Sequence, residues 1–113
     1  RHIDLVIGDR YGASAAAPLV DGVQSRLREL GYHVLRNRPY AGGFITEHYG
    51  RPSAGWHAIQ IEVSRGLYMN ETSYEKTERF PLVASHLAEI VGGLAHDIAH
   101  EAHLGGARQA AAE

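Results

Sequence analysis

The first 35 residues carry a pattern that few folds accommodate: an apolar run, a helical stripe, then a second apolar run. Ile3 to Ile7 is short and rich in β-branched residues, and Gly8-Asp9 closes it, so it reads as a buried strand ending in a tight turn. From about Ala16 to Leu30, the residues Leu19, Val23, Leu27 and Leu30 recur at spacings of four, four and three. That is the apolar stripe of an amphipathic helix, with Pro18 suited to its first turn and Gly31 to its C-terminal cap. Tyr32 to Leu35 then reads as a second strand. A helix between two strands of one sheet requires parallel pairing and a right-handed crossover, so the fold class is α/β.

A chain of 113 residues supports one domain with one core, and 44% apolar with 21% charged residues is ordinary for a compact domain. The absence of cysteine excludes disulfides, thiolate metal sites and cysteine nucleophiles, and fits a reducing compartment such as the cytoplasm. No window reaches the ~18–20 apolar residues of a membrane span, so no membrane partner is expected. The net charge of -2, with no Lys/Arg cluster, argues against nucleic acid as a partner. The chain has no initiator Met and opens almost directly on a strand, which suggests that the front of a longer protein is missing.

Asn37 to Gly55 is a loop with Pro39, Pro52 and four glycines around one short helical candidate, Phe44 to Tyr49. A third strand is expected at His57 to Val63 and a polar stretch at Asn70 to Arg79. Past Pro81, the residues Val83, Leu87, Ile90, Leu94 and Ile98 mark a long helix. Gly92-Gly93 weakens it by roughly 1 kcal/mol per glycine relative to alanine. Residues 105–113 read as a frayed tail.

The third strand holds the most informative side chains. Alternation sends Ile59, Ile61 and Val63 to one face and Gln60, Glu62 and Ser64 to the other. Polar residues there fit an edge strand with one face in water. That is the plainer reading of the periodicity; the sharper one is a catalytic or metal-site carboxylate, Glu62, near the C-terminal end of the strand, where open α/β sheets bind ligands. Arg65 fits either a substrate carboxylate or an ion pair with an acid such as Glu71. The run Pro39 to Thr46, with Gly42-Gly43, is a tight turn or a substrate loop and lacks both nucleotide-binding glycine spacings. His96-Asp97-Ile98-Ala99-His100 is superficially like a zinc-binding helix, but His96, His100 and His103 lie opposite the apolar stripe and are expected in water.

Taken in order, Gly8-Asp9-Arg10-Tyr11-Gly12, Asn37-Arg38-Pro39-Tyr40-Ala41-Gly42-Gly43-Phe44-Ile45-Thr46, Tyr49-Gly50-Arg51-Pro52 and Gly55-Trp56-His57 through Glu71 resemble the C-terminal half of the N-formylglutamate amidohydrolase family. The similarity runs from about Asp4 to Ile98, and several separated motifs in the right order make it specific. The resemblance implies a fragment, residues 1–104, of a zinc-peptidase-like (phosphorylase/hydrolase-like) α/β fold, with a partial, mostly parallel sheet of about three strands and about three helices. It implies metal-dependent hydrolysis of N-formyl-L-glutamate to formate and L-glutamate, a step of histidine degradation, with a divalent metal, zinc, as cofactor.

By the same resemblance Glu62 would be the catalytic carboxylate, Arg65 and Arg38 would hold substrate carboxylates, and Tyr40, Gly42, Gly43 and Thr46 would line the pocket. The principal metal ligands would lie in the N-terminal half, so this chain by itself would be inactive. An exposed sheet edge would favour self-association. The alternatives are a non-catalytic packing or binding module, and an amidohydrolase acting on another N-acyl amino acid.

Overall fold

The computed structural model describes residues 2–112, with side chains as far as His100. Its elements are β1 (Leu5–Gly8), α1 (Ala17–Glu29), β2 (Val34–Arg36), α2 (Phe44–Tyr49), β3 (Gln60–Val63) and α3 (Phe80–Ala112), with 3₁₀ turns at Pro52–Ala54 and Arg65–Leu67. The expected frayed tail, 105–113, falls where no side chain is described.

α1 ends where its sequence says it should, and its end moves the next strand. Gly31 adopts a φ of 94°, its N–H donates to the Arg28 carbonyl, and the Tyr32 N–H donates to the Leu27 carbonyl. This is a Schellman cap, in which the left-handed glycine closes the helix and the following apolar residue folds back on it. Tyr32 is therefore buried as part of the cap and β2 begins two residues later than the apolar run suggests. At the other end Ala16 offers no capping side chain, and its N–H donates instead to His57 Nδ1 at 3.0 Å.

The sheet has the order β2-β1-β3. β1 and β2 are parallel, pairing Leu5 with Val34 and Ile7 with Arg36, as the crossover through α1 requires. β3 runs antiparallel to β1, pairing Leu5 with Val63, Val6 with Glu62, Ile7 with Ile61 and Gly8 with Gln60. The sheet is thus mixed, which corrects the expectation of a mostly parallel one. The physical reason lies in the connection between β2 and β3, which holds the six-residue α2 and the 3₁₀ turn at Pro52–Ala54 but no helix long enough to cross the sheet. This segment stays at the end where β1 and β2 finish, held there by Arg10 N–H to the Ala41 carbonyl and Ala58 N–H to the Ser14 carbonyl. The chain re-enters beside Gly8 and runs back.

α1 and α3 pack on the same face of the sheet. Leu5, Ile7 and Val34 join Val20, Val23 and Leu27 of α1 and Val83 and Ile90 of α3 in the core, with Ile59, Ile61 and Val63 packed against them. Leu5, Ile7, Val20 and Leu27 are at most 1% exposed, and each such side chain contributes about 1.5–3 kcal/mol on burial. Arg26 and Glu89 tie α1 to α3 through a 2.6 Å ion pair, but both are exposed and the pair adds at most about 1 kcal/mol.

The opposite face carries the side chains left over by the alternation: Leu35, Val6 and Glu62 lie in one row across the three strands. Gly8 and Gln60 form the next position along. A Cβ built on Gly8 would lie 2.7 Å from the backbone of Ala41 and Gly42, so the glycine loop crosses the sheet where β1 has no side chain.

Candidate functional site

The two turns that follow β1 and β2 are locked together by a buried acid. Asp9, 1% exposed, accepts hydrogen bonds from Asn37 Nδ2 at 2.7 Å, from the Gly12 N–H at 3.2 Å and from Arg36 Nη2 at 3.2 Å. The Asp9 N–H in turn donates to Asn37 Oδ1 at 3.0 Å. Burial by itself would raise the Asp9 pKa. The hydrogen bonds from Asn37, Gly12 and Arg36 and the charge of Arg36 outweigh it and hold the carboxyl below its ordinary value. Burial also opposes the charge on Arg36, but hydrogen bonds and the charges of Asp21 and Asp9 raise its pKa.

This lock fixes backbone that L residues rarely adopt. Arg10, Tyr11 and Asn37 have φ values of 54°, 56° and 62°. Such left-handed residues persist where their surroundings determine them, and asparagine tolerates the region best. From the turn, Arg10 reaches across to the Gly42 carbonyl at 3.4 Å and to Glu47 at 3.6 Å. The glycine loop is thereby tied to the end of β1 at both backbone and side chain.

Gln60 connects that loop to the carboxylate. Its Oε1 accepts the Gly43 N–H at 2.9 Å and its Nε2 donates to Glu62 Oε1 at 2.6 Å. Glu62 is half-buried and lines a groove of about 340 Å³ with Tyr40, Pro39, Val6, Asp4 and Ser64. One carboxylate oxygen is held and, among the described residues, the other has no donor. β3 is an edge strand, so the edge-strand reading and the site reading of its polar face describe the same object. The switch-point argument, however, does not place Glu62: β3 runs backwards, so its C-terminal end lies at the beginning of β1, and Gln60 is the residue level with Gly8.

The other expected site residues divide. Tyr40 shares the groove with Glu62, and Gly42 and Gly43 lie over β1 and beside Gln60. Thr46 is buried and its hydroxyl donates to the Gly43 carbonyl at 2.9 Å, so it braces the loop from within. Arg38 and Arg65 are exposed, and among the described residues neither has a carboxylate within 4 Å; Arg65 does not pair with Glu71. His96 and His100 are exposed as expected, His103 lies beyond the described side chains, and His86 is hydrogen-bonded to the Tyr32 hydroxyl.

Asp9, Asn37 and Gln60 are the members that sequence reasoning did not assign. Gln60 had a visible signal, a polar residue alternating with the core-facing isoleucines of its strand, whereas the Asp9–Asn37 contact spans 28 residues and has no local signature. Replacing Gln60 with alanine is expected to free the Gly43 amide. A hydrogen bond worth about 1 kcal/mol corresponds to roughly fivefold faster amide hydrogen exchange at Gly43, with amides of the α1 core unchanged.

The site is an α/β sheet with a glycine loop hydrogen-bonded through Gln60 to a carboxylate, and the comparisons give its family. The sequence model described as N-formylglutamate amidohydrolase matches residues 1–69, and the chain belongs to that family. It is 42% identical over 71 residues to the N-formylglutamate deformylase of Pseudomonas putida, covering 61% of this chain and 26% of that protein. Against the deformylase of Pseudomonas aeruginosa it is 39% identical over 70 residues, covering 60% and 26%. The crystal structure of N-formylglutamate amidohydrolase from Ralstonia eutropha JMP134 superposes with a TM-score of 0.82 at 37% identity, over 88% of this chain and 36% of that one. The chain therefore spans about a quarter of the length of the curated relatives it matches.

Proposed function

We propose that this chain supplies one wall of a deformylase site that hydrolyses N-formyl-L-glutamate to formate and L-glutamate, and that it is inactive by itself. The observation carrying this reading is the hydrogen-bonded path from the Gly43 N–H through Gln60 to Glu62, which couples a substrate-sized loop to a carboxylate. Family membership supplies the reaction class, because the curated relatives are named deformylases.

In this assignment Glu62 is the general base. Its free oxygen takes the proton from the attacking water and then passes it to the leaving amine. Gln60 holds the other oxygen, so the carboxylate presents a fixed orientation. Tyr40 and the backbone of Gly42 and Gly43 shape the groove, Thr46 stiffens the loop, and Arg65 and Arg38, both unpaired with acids among the described residues, bind the substrate carboxylates once they are drawn to the site. Among the described residues no three of His, Cys, Asp or Glu come together to hold a metal ion. These residues alone do not fit zinc, and no step here runs through it. The divalent metal, zinc, belongs in this proposal to the remainder of a larger zinc-peptidase-like fold.

The reaction fits a cytoplasmic enzyme of histidine degradation. Among the described residues no helix is long and apolar enough to cross a membrane. The test is a chimera in which this chain replaces the matching segment of the Pseudomonas putida deformylase. Formate release from N-formyl-L-glutamate, with none from the 113-residue chain alone and far less from N-acetyl-L-glutamate, is the expected result. Equal turnover of the acetyl substrate would favour an amidohydrolase of different acyl specificity. A folded chimera without turnover would leave a non-catalytic module.

A further inference from the structure

We infer that Arg10 selects the side-chain carboxylate of the substrate, and that Glu47 holds its place until substrate displaces it. The inference deepens the deformylase reading and rests on it. Its first support is backbone. Arg10, Tyr11 and Gly12 take left-handed φ values of 54°, 56° and 88° in succession, and outliers of this kind on non-glycine residues collect at binding sites. The turn is held by buried Asp9, which accepts the Gly12 N–H, and it lays the Arg10 side chain against the glycine loop. Arg10 Cδ lies 3.3 Å from where a Cβ on Gly42 would be, so a larger residue at Gly42 would crowd the arginine.

The Arg10 guanidinium is engaged but poorly satisfied. It has five N–H donors and, among the described residues, meets the Gly42 carbonyl at 3.4 Å and Glu47 Oε2 at 3.6 Å, the second beyond hydrogen-bond range. Glu47 is 68% exposed, and an ion pair this open is weak. A ligand carboxylate accepting two parallel bonds from the guanidinium fork would replace it.

The third support is position. The N–H of the Gly42–Gly43 peptide donates to Gln60 at 2.9 Å, and the carbonyl of the same peptide meets Arg10. Gln60 in turn donates to Glu62 at 2.6 Å. The general base and Arg10 are therefore separated by one glutamine side chain and one peptide unit, a distance that a substrate of amino-acid size bridges. With the formyl group at Glu62, the carboxylate reaching Arg10 is the one farther from the formyl group, that of the side chain. Arg65, by contrast, follows β3 at the end where β1 begins, away from the glycine loop.

The experiment uses the Pseudomonas putida chimera carrying this chain. Arg10→Gln should raise KM for N-formyl-L-glutamate roughly tenfold or more, the worth of hydrogen bonds to a charged group, with kcat little changed. KM for N-formyl-L-glutamine, which lacks the side-chain carboxylate, should stay the same. Arg10→Lys keeps the charge without the fork and should restore part of the loss. Glu47→Gln should lower KM for N-formyl-L-glutamate about two- to fivefold, because it removes the competing acid. These opposite signs separate recognition from bracing, since a merely structural pair would move KM the same way when broken from either side. Calorimetry of L-glutamate binding to the same chimeras reads the site without turnover. Binding weakened at least tenfold by Arg10→Gln in a chimera that releases no formate would sink the deformylase reading and support the anion site. Unchanged KM and L-glutamate affinity in a folded Arg10→Gln chimera would overturn the inference. So would shifts of one sign in Arg10→Gln and Glu47→Gln, an equal rise in KM for N-formyl-L-glutamine, or a folded chimera that binds no L-glutamate.

Discussion

Asp9→Ala should lower the unfolding free energy by about 3 kcal/mol, the largest loss expected from any single side chain at the turns. The truncation leaves the Asn37 amide and the Gly12 N–H without their acceptor, and it removes the counter-charge of Arg36. Arg36 is only a quarter exposed but keeps Asp21 at 2.7 Å, so the cost falls toward the lower end for a broken buried pair. In urea the midpoint should move down by roughly 1–3 M with little change in slope.

The same acid sets a pH dependence whose sign is fixed. The native pKa of Asp9 is depressed below its ordinary value of 3.8, so its contribution is fully present above that value. It is lost as the pH falls through the depressed native value. Asp9→Asn should therefore flatten the acid limb of the stability curve while costing less at neutral pH than Asp9→Ala, because the amide still accepts one hydrogen bond. An acid limb unchanged in Asp9→Asn would show that other carboxylates govern it.

Those turns also show where sequence reasoning reaches its limit. α2 was legible to the residue because Gly43 and Gly50 bracket six residues that have no competing pattern. The stripe of Val83, Leu87, Ile90 and Leu94 packs on the core as its spacing requires, and the alternation in β3 correctly divided the isoleucines from Gln60 and Glu62. These are local periodicities, and local physics decides them.

The direction of β3 was not legible, because it depends on where the loop from Asn37 onward is held. Bonds between Arg10 and Ala41 and between Ala58 and Ser14 hold it there, 31 and 44 residues apart in sequence. The Asp9–Asn37 lock is hidden for the same reason. The start of β2 was misplaced because Tyr32 is apolar for the sake of a helix cap, a role that hydrophobicity alone does not separate from a strand position. For the site, the sequence pointed to Glu62 and the glycine loop, and the structure adds Gln60 as the group joining them.

The largest functional effect is expected at Glu62. Removing a positioned general base slows proton transfer by roughly 10²–10⁴-fold, so Glu62→Gln should cost about 3–5 kcal/mol of transition-state stabilisation. The substitution is nearly isosteric and lies on a half-buried edge position, so folding should survive it. Gln60→Ala, which leaves the carboxylate in place but releases both Glu62 Oε1 and the Gly43 N–H, should lower the catalytic constant less.

The decisive measurement is formate release from N-formyl-L-glutamate by the deformylase chimera carrying this chain, with and without Glu62→Gln. A drop of at least a hundredfold in kcat, with the unfolding transition unchanged, is the predicted result. Full turnover in the folded Glu62→Gln chimera would contradict it and remove this carboxylate from the chemistry.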